Sequence, residues 1–370
     1  MKLIPLLLSV SLSIIAVPAQ TRTVSDNALQ VDKIVEGLGI PWGMTVLPDN
    51  TMLVTQRQGK LTLIDLQSAN KTDISGVPAV KAEGQGGFLD IALSPDFADS
   101  GWIYFTYSKD VDGQGATTLA RAKLNHNALV DWQDLLITES RTTKGQHYGS
   151  RITFDGEGHL FFSVGDRGER HAAQDLQRHN GKILRLNLDG SVPQDNPFIG
   201  HDAALPEIWS YGHRNPQGLF YNLQTQQLWE IEHGPRGGDE INLIQAGKNY
   251  GWPEASHGKE YYAPISIGQG KTVAGMENPI QVYIPSIAPS GLLQYQGVAF
   301  PQWQGDLFSG ALALQHLNQI KLDNTTVSEE HRYLNSLGQR IRNVIESPEG
   351  WLYIATDNGE IYRVQPAKNQ

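Results

Sequence analysis

The amino-acid sequence predicts an all-β fold, a six-bladed β-propeller, on three observations. Its apolar residues alternate with a period of two in short runs bounded by Gly, Pro, Asn and Asp, as is typical of strands. One unit, a turn followed by an apolar strand and usually a second strand, recurs six times along the 370 residues. No long amphipathic helix interrupts the units, which disfavours a parallel sheet with crossover helices. A pair of β-sandwiches is the alternative fold.

The six units follow one another at uneven spacing along the chain. Their first strands are predicted at 52–54, 102–105, 159–164, 227–231, 306–308 and 351–354. Second strands are predicted at 60–64, 182–186, 240–244, 318–322 and 360–364. An early strand at 31–35 is expected to complete the last blade and close the ring. The intervals 200–215 and 248–300 are expected to be long loops on one face.

Composition and charge exclude several classes of function. Lys and Arg number 29 against 39 Asp and Glu, a formal net charge of −10, which argues against a nucleic-acid-binding protein. Charged residues are 18% and hydrophobic residues 39%, a balance that argues against a long disordered tract. The sequence has no Cys, so disulfides, thiolate zinc sites, cysteine nucleophiles and c-type haem attachment are excluded.

The amino terminus predicts a secretory signal at residues 1–19. A basic start is followed by a short apolar stretch and by Val-Pro-Ala at 17–19, so we expect cleavage after Ala19. An uncleaved signal anchor is the alternative. No later stretch approaches the roughly 20 apolar residues of a transmembrane helix. The sequence therefore predicts a periplasmic or secreted protein whose residues 20–370 form one propeller domain without a membrane span.

Three polar, glycine-rich clusters are poorly explained by blade packing alone. The first contains His147 at a predicted strand entrance and Asp166 at the end of a strand of the same blade. A histidine in such a loop is more often a hydrogen-bonded structural residue. A carboxylate beside it, however, can orient the imidazole, which is the usual arrangement of a general base.

The other two clusters suggest ligand binding. Arg214 and Asn215 stand in a turn bounded by Gly and Pro, where two strong donors suit an anionic or quinoid ligand; a surface pair that stabilises the turn is the alternative. At 232–240 a Gly-Pro-Arg-Gly-Gly loop is flanked by acidic residues. Exposed backbone carbonyls and carboxylates are hard oxygen ligands, which Ca²⁺ prefers in irregular geometry.

Together these segments resemble the soluble aldose sugar dehydrogenases that depend on pyrroloquinoline quinone (PQQ), relatives of soluble glucose dehydrogenase. The resemblance covers nearly the whole mature chain and implies a six-bladed propeller. The motifs that carry it lie at 41–43, 84–90, 212–218, 234–242, 249–253, 288–290 and 340–343.

The resemblance also implies a reaction and its catalytic residues. His147 would remove the proton from the anomeric hydroxyl of an aldose as hydride leaves for the quinone, which yields a lactone. Asp166 would hold and charge-balance His147. Arg214, with Asn215 beside it, would stabilise the negative charge that develops on the quinone oxygen. The organic chemistry would belong largely to the cofactor.

The implied binding residues fall into a cofactor set and a metal set. The cofactor set is Gln85, Arg214, Asn215, Asp239, Tyr261, Arg340 and Arg342, of which Gln85 and Asp239 would also line the sugar site. The metal set is Gly234 and Pro235, whose carbonyls would hold the Ca²⁺ that polarises the quinone, and Glu240 and Tyr250, which match a further structural Ca²⁺ site.

The sequence departs from the glucose dehydrogenases of this family at four positions. Ala313 stands where they have a lysine facing the cofactor, and His233 and His171 stand where they have glutamines. Asn343 replaces an aspartate after the second arginine. With one cationic partner missing, holding the tricarboxylate cofactor would depend more on Arg340, Arg342 and Tyr261, and we expect weaker cofactor binding.

Two other functions are alternatives to a PQQ-dependent aldose dehydrogenase. A calcium-dependent lactonase or esterase propeller would need no quinone but would leave Arg340 and Arg342 unexplained. A non-catalytic propeller that binds sugars or proteins would not need His147 as a base. We expect broad use of aldoses, since an open propeller face makes few contacts. The sequence predicts neither the electron acceptor nor whether the chain is a monomer or a homodimer.

Overall fold

Six sheets surround a central channel in the computed structural model, which describes residues 20–23 and 26–367. Each is built on four antiparallel strands, and one sheet has a fifth strand added in parallel. The first strand of each sheet packs against the first strand of the next, and these contacts run around the full ring. The six blades contain the six units found in the sequence, so the predicted propeller is confirmed.

The blades follow one another in chain order after two amino-terminal strands, β1 (Gln20–Thr23) and β2 (Leu29–Val35). Blade 1 is β3 (Pro41–Val46), β4 (Thr51–Gln56), β5 (Lys60–Asp65) and β6 (Lys71–Ile74). Blade 2 is β7 (Phe88–Leu93), β8 (Trp102–Val111), β9 (Gln114–Asn125) and β10 (Ala128–Ile137). Blade 3 is β11 (Ile152–Phe154), β12 (His159–Val164), β13 (Lys182–Asn187) and β14 (Ile208–Tyr211).

The second half of the ring continues in the same way. Blade 4 is β15 (Pro216–Asn222), β16 (Gln227–Glu232), β17 (Asp239–Ile244) and β18 (Gln281–Tyr283). Blade 5 is β19 (Pro289–Gln294), β20 (Leu307–Ala311), β21 (His316–Asp323) and β22 (Thr326–Tyr333). Blade 6 is β23 (Ile341–Glu346), β24 (Leu352–Thr356) and β25 (Glu360–Pro366), completed by β2. The helices of the described residues are short: α1 (Phe97–Ser100) and the 3-10 turns Asp26–Ala28, Arg170–Ala173, Pro301–Trp303 and Asn335–Leu337.

The ring closes as the sequence predicts. Strand β2 pairs antiparallel with β25, with Val31 opposite Val364, so blade 6 combines residues from both ends of the chain. Closure therefore rests on backbone hydrogen bonds within blade 6, between the strand that precedes blade 1 and the last strand of the chain. Strand β1 adds in parallel to β22 at the outer edge of blade 5.

The two intervals predicted as long loops are only partly loops. The interval 200–215 contains the outer strand β14, and 248–300 contains β18 and β19, so the prediction was wrong at these strands. Two of these strands, β18 and β19, show no alternating pattern in the sequence, and each has a physical reason. Strand β18 has three residues, and β19 is buried along its whole length because it faces the central channel, so no alternation marks it.

Apolar clusters between neighbouring blades form the core. Leu53 and Leu61 of blade 1, for example, pack in one buried cluster with Phe88 and Phe105 of blade 2. The predicted signal segment, residues 1–19, lies outside the described residues. Within the described part of the chain, no helix has the length and apolar character that a membrane span requires.

One buried arginine connects five of the six blades across the channel. Arg151, directly before β11 of blade 3, donates from Nη1 to Asp90 Oδ1 of blade 2 at 2.9 Å. Its Nε donates to the Gln217 carbonyl of blade 4 at 2.8 Å, and its Nη2 to the Arg342 carbonyl of blade 6 at 3.3 Å. The guanidinium also lies 3.9 Å from the ring centre of Trp42 in blade 1. The charge is therefore buried with full hydrogen bonding, the condition under which a buried ion pair is tolerated.

The Arg151–Asp90 pair divides the channel into two cavities. Asp90 and Arg151 both line a cavity of about 340 Å³ on one side. Trp42, Gln217 and Arg342, whose carbonyls accept the hydrogen bonds of Arg151, line a second cavity of about 200 Å³. The second cavity therefore ends at the ion pair.

Replacing Arg151 tests its contribution to stability. Arg151→Met leaves the Asp90 carboxylate buried without its cation, which should lower the free energy of unfolding by about 3–5 kcal/mol. Denaturant unfolding measures the change, and Arg151→Met/Asp90→Asn should recover part of it. Arg121→Met is a matched control, because Arg121 also lies over a tryptophan, 4.2 Å from the ring centre of Trp102, but at the surface. It should cost less than about 1 kcal/mol; equal losses in the two variants would contradict the role of Arg151.

Candidate active site

The topology of the blades brings the predicted site residues to one face. In an antiparallel blade, the connection from the second to the third strand and the connection to the next blade lie at the same end. His147, Arg214, Asn215 and Arg340 lie in connections between blades, and Asp166, Gly234 and Pro235 lie between second and third strands. Tyr250 and Tyr261 belong to the long segment after β17, which returns to this face, where the Tyr250 N–H donates to the Tyr211 carbonyl at 2.8 Å.

His147 and Asp166 form a buried pair next to the cavity of about 200 Å³, which is called the cavity from here on. The Nδ1 of His147 lies 2.7 Å from Asp166 Oδ1. Asp166 also accepts the Gly168 N–H at 2.7 Å and, on Oδ2, the indole N–H of Trp252 at 2.8 Å. With three donors fixing its carboxylate, Asp166 sets the orientation of the imidazole. The ring makes no other hydrogen bond within the described residues, so Nε2 is free.

The pKa values of the pair favour a neutral imidazole and a carboxylate. Burial lowers the pKa of His147 below its ordinary value of 6.5, opposed by the hydrogen bond to Asp166 and assisted by the positive charge of Arg214. Burial alone would raise the pKa of Asp166, but the hydrogen bond to His147 and the nearby positive charges lower it. His147 therefore carries its proton on Nδ1 and a lone pair on Nε2, as a general base requires.

The backbone around His147 is held in an unusual conformation. His147 has a φ of 54°, which few residues other than glycine adopt. Its N–H donates to Gln85 Oε1 at 2.7 Å, and its carbonyl lies where a Cβ on Gly165 would approach to 2.2 Å. Gly165 is therefore required for the close approach of the two loops that carry His147 and Asp166.

Arg214 and Asn215 are positioned by one glutamate. Glu232 Oε2 accepts the backbone N–H of Arg214 at 2.6 Å and that of Asn215 at 3.0 Å. The Arg214 guanidinium donates to the His233 carbonyl at 3.1 Å and contacts the Tyr261 hydroxyl at 3.4 Å, while its Nε has no partner in the described chain. Asn215 Oδ1 accepts the Gly149 N–H, which leaves the Asn215 amide as a donor. Asn215 lines the cavity, whereas Arg214 lies beside the smaller cavity that Glu232 and Gly234 also border.

Three arginines make the cavity strongly cationic. Arg57, Arg340 and Arg342 line it, with Asp357 as the one carboxylate among the lining residues. Asp357 accepts from Arg342 Nε at 2.7 Å and from Arg340 Nε at 2.8 Å. The guanidinium of Arg57 has no hydrogen-bond partner within the described residues, and burial together with the charge of Arg342 lowers its pKa. The excess of positive charge suits a ligand with several carboxylates.

The Gly234–Pro235 loop presents backbone oxygens beside the cavity. Asp239 is buried behind the loop: its Oδ1 accepts the Gly234 N–H at 2.9 Å and its Oδ2 the Ala288 N–H at 2.8 Å. Burial raises the pKa of Asp239 to about 6 in spite of these hydrogen bonds. The structure thus places Asp239 behind the loop, where it fixes the backbone, and not on the cavity wall. No N–H of the described residues donates to the Gly234 carbonyl, which remains available to a cation.

Glu240 and Tyr250 meet at a small internal cavity, together with Glu232, Gly234 and Pro235. The hydroxyl of Tyr250 is used by the backbone, donating to the Leu243 carbonyl at 2.7 Å, so the residue can offer a cation only its carbonyl. Burial and the charges of Glu232 and Asp239 raise the pKa of Glu240 well above its ordinary range. A bound cation would relieve this repulsion.

The four departures lie in different places. His233 lines the cavity with its Nε2 2.7 Å from the Pro289 carbonyl, and burial lowers its pKa to about 3, so it is neutral. Ala313 is exposed next to the lining residue Leu312 and offers no charge. Asn343 faces the opposite cavity. The side chain of His171 is 82% exposed, near Glu254.

The sequence reasoning did not identify Arg57, Trp252 or Asp357 as site residues. Arg57 and Asp357 occupy hairpin turns that look like ordinary surface turns in the sequence. Each, however, is the residue directly after the second strand of its blade, a position that also places His233 and Leu312 on the cavity wall. Aligning the six units at that position would have found them.

Comparison with known proteins identifies the family. The sequence model described as Glucose / Sorbosone dehydrogenase matches residues 38–363. The chain belongs to this family. The aldose sugar dehydrogenase YliI of Escherichia coli is 43% identical over 345 residues, which cover 91% of this chain and 93% of that protein.

Two solved structures of the family share the fold. The apo form of the soluble aldose sugar dehydrogenase of Escherichia coli superposes with a TM-score of 0.89 at 42% identity, covering 92% of this chain and all of that one. The PQQ-bound form of an aldose sugar dehydrogenase of Streptomyces coelicolor gives a TM-score of 0.75 at 28% identity, covering 91% and 98%. The glucose and sorbosone dehydrogenase family is thus established by sequence and by fold.

The protonation of His147 can be measured directly. Ring-proton NMR should show His147 titrating below pH 6.5, because burial disfavours the charged form. In Asp166→Asn the pKa should fall further, since the carboxylate that raises it is gone. His233, with a pKa of about 3, provides a buried reference that stays neutral over the same range. A His147 pKa that rises in Asp166→Asn would contradict the proposed pairing.

Proposed function

We propose that this protein is a PQQ-dependent aldose sugar dehydrogenase that oxidises the anomeric hydroxyl of aldoses to lactones. The observation that supports this most directly is an imidazole whose Nδ1 is fixed by a carboxylate and whose Nε2 is free, immediately beside a cationic cavity. Tyr148 and Gly149, the residues that follow His147, line that cavity. The family assignment and the PQQ-bound relative agree with this proposal.

The lining residues fit a tricarboxylate cofactor. Arg57, Arg340 and Arg342 would pair with its carboxylates, and Gln85 and Asn215 would donate to its other oxygens. Asp357 holds Arg340 and Arg342 in position beforehand, which reduces the entropy lost when the ligand binds. Arg57, which also lines the cavity, would be a third cationic partner of the cofactor beside Arg340 and Arg342.

The Gly234–Pro235 loop fits a Ca²⁺ ion. Its carbonyls are hard oxygen donors, and the Gly234 carbonyl is free of hydrogen bonds from the described residues. A side chain at Gly234 would clash, because a Cβ there would lie 1.9 Å from the Gly238 carbonyl oxygen. Glycine at this position therefore keeps the carbonyls at the cavity edge. Glu240 and the Tyr250 carbonyl would hold a second, structural Ca²⁺.

The protein residues move the proton and stabilise charge. His147 Nε2 accepts the proton of the anomeric hydroxyl, and Asp166 stabilises the imidazolium that results. Bound PQQ would supply the acceptor for the hydride that leaves the anomeric carbon, and Ca²⁺ held at the Gly234–Pro235 loop would supply a Lewis acid. Arg214 and Asn215, which keep unused donors at the Arg214 Nε and the Asn215 amide, would stabilise the negative charge that develops on the quinone oxygen. Loss of one proton and one hydride converts the cyclic hemiacetal to a lactone.

The open side of the site suits varied sugars. Tyr261 and Tyr262 are 66% and 81% exposed, and Tyr261 contacts Arg214. Exposed aromatic rings can stack on sugar rings without enclosing them, so we propose broad aldose use. Export by the amino-terminal signal would place the enzyme in the periplasm or medium, where it meets free sugars.

Reconstitution tests the proposed function. Purified protein is titrated with PQQ and Ca²⁺ and assayed for dye-linked oxidation of mono- and disaccharides. We expect activity that requires both additions and a fall in kcat of about 10²- to 10⁴-fold in His147→Gln, because the base is removed. His331→Gln, which changes a half-buried histidine on β22, the fourth strand of blade 5 and the one farthest from the channel, should leave kcat unchanged. Absence of aldose oxidation, or lactone hydrolysis by the Ca²⁺-loaded protein without PQQ, would contradict the proposal.

The role of Arg57 can be tested through cofactor affinity. Arg57→Met should weaken PQQ binding about 10- to 100-fold, the cost of losing one charge-assisted hydrogen bond. Ala313→Lys, which restores the lysine of the glucose dehydrogenases, should strengthen binding and compensate for Arg57→Met. Lys60→Met is the matched control, since Lys60 lies on the same hairpin but outside the cavity. Fluorescence titration measures the Kd, and an unchanged Kd in Arg57→Met would exclude Arg57 from the cofactor site.

A further inference from the structure

One face of blade 4 carries a set of buried polar side chains. Glu230 and Glu232 are two residues apart on β16 and therefore share a face. Asn242 of β17 stands opposite Glu230 in the ladder and donates to Glu230 Oε2 at 2.9 Å. His213, from the connection between blades 3 and 4, closes this group from the other side. None of the four is more than 3% exposed.

Ligand atoms of this group converge on one point. One atom each of His213, Glu230 and Glu232 lie within 4.8 Å of one another, and this is the one such group of three found in the described residues. His213 Nδ1 and Glu232 Oε1 are 3.6 Å apart, too far for a hydrogen bond. This separation is that of two ligands of a common ion.

Three atoms of these four side chains lack a hydrogen-bond partner in the described chain. They are His213 Nδ1, Glu230 Oε1 and Asn242 Oδ1, all fully buried. Buried polar atoms without partners are rare, because each costs the full desolvation of the group. Three in one place indicate that something absent from the polypeptide satisfies them.

His213 is oriented as a metal ligand. Its Nε2 lies 2.9 Å from Ser210 Oγ, and its ring stacks on Tyr250 with centroids 4.9 Å apart. If Nε2–H donates to Ser210, Nδ1 carries the lone pair that faces the carboxylates. A hydrogen bond from the second ring nitrogen is what fixes the tautomer of most histidine ligands.

The charges also favour a cation. Glu230 is fully buried, and the carboxylates of Glu232 and Glu240 are its charged neighbours. The polypeptide places no Lys or Arg side chain in hydrogen-bond contact with Glu230 in the described residues. Two adjacent buried carboxylates without a cation are costly, whereas a divalent ion would neutralise both.

We propose that His213, Glu230 and Glu232, with Asn242 as a fourth ligand, bind a divalent transition-metal ion of the Zn²⁺ type inside blade 4. One imidazole nitrogen with carboxylate and amide oxygens is a donor set that suits Zn²⁺ or Mn²⁺. Ca²⁺ takes about six to eight oxygen ligands and has little affinity for imidazole. The site is therefore different from the oxygen-only positions proposed for Ca²⁺ at Gly234 and Glu240.

The ion would support the active site through Glu232. Glu232 Oε1 faces His213, and Glu232 Oε2 accepts hydrogen bonds from the backbone N–H groups of Arg214 and Asn215. An ion that fixes Glu232 would fix the turn that presents these two residues. All the proposed ligands belong to the polypeptide, so the site does not depend on PQQ binding or on the proposed sugar oxidation.

Metal analysis of the protein without PQQ tests this site. The full-length purified protein is freed of metals with EDTA, incubated separately with Zn²⁺, Mn²⁺ or Ca²⁺, desalted, and analysed by elemental mass spectrometry. We expect about one tightly held Zn²⁺ or Mn²⁺ per chain, with a higher Tm than the metal-free protein. Anomalous diffraction at the zinc edge should place the ion within about 2.0–2.2 Å of His213 Nδ1 and the two carboxylates.

Variants distinguish a metal site from the alternative, in which one of the two carboxyl groups is protonated and no metal is bound. Glu230→Gln and His213→Gln should each lose the ion and the metal-dependent rise in Tm. His316→Gln, at a buried histidine whose Nε2 is also unpartnered but which has no carboxylate pair, should keep both. If wild-type protein holds no Zn²⁺ or Mn²⁺, if the density shows a water at this point, or if Glu230→Gln raises the Tm of the metal-free protein and retains the metal, the inference is overturned.

Discussion

The Arg151–Asp90 ion pair is the contact on which the ring and the site both depend. A propeller has no single central core: each blade packs on its neighbours, and the six first strands would otherwise surround an open channel. Arg151 fills the channel with a charge whose hydrogen bonds end on blades 1, 2, 4 and 6. Because two of its acceptors are the carbonyls of Trp42 and Arg342, it also sets the floor of the cationic cavity. The same contact therefore determines how the blades meet and where the cavity ends.

Buried carboxylates organise the site above that floor, one for each functional element. Asp166 fixes His147, Asp357 fixes Arg340 and Arg342, Asp239 fixes the Gly234 loop, and Glu232 fixes the turn of Arg214 and Asn215. Each acts by accepting hydrogen bonds from groups that would contact a ligand, so the geometry exists before the ligand binds. Preorganisation of this kind is what makes charge stabilisation effective in a low-dielectric site. The acidic composition of the chain thus serves the interior as well as the surface.

The sequence predicted the six repeats better than it predicted the boundaries of individual strands. Alternating strands between turn residues revealed all six blades, and the apolar strand at 31–35 revealed the closure, because both signals are local. Strands β18 and β19 were missed because one is too short and the other is buried on both faces. His147 and Asp166 were found from residue type and resemblance, and their contact at 2.7 Å agrees with the expected pairing. Arg57 was missed because its importance depends on the ring, which brings a turn residue to the channel.

The position of Arg57 shows how a propeller can meet one requirement from different blades. The residue directly after the second strand is Arg57 in blade 1, His233 in blade 4, Leu312 in blade 5 and Asp357 in blade 6, and all four line the same cavity. Radial repetition makes these positions equivalent, so the four side chains line one cavity from different directions. Arg57 of blade 1 can therefore place a cation at the same cavity as the equivalent turn of blade 5, which carries none at Leu312 and Ala313. The charge of such a cavity is a property of the set of equivalent turns, and a departure at one turn has to be judged against the residues at the others.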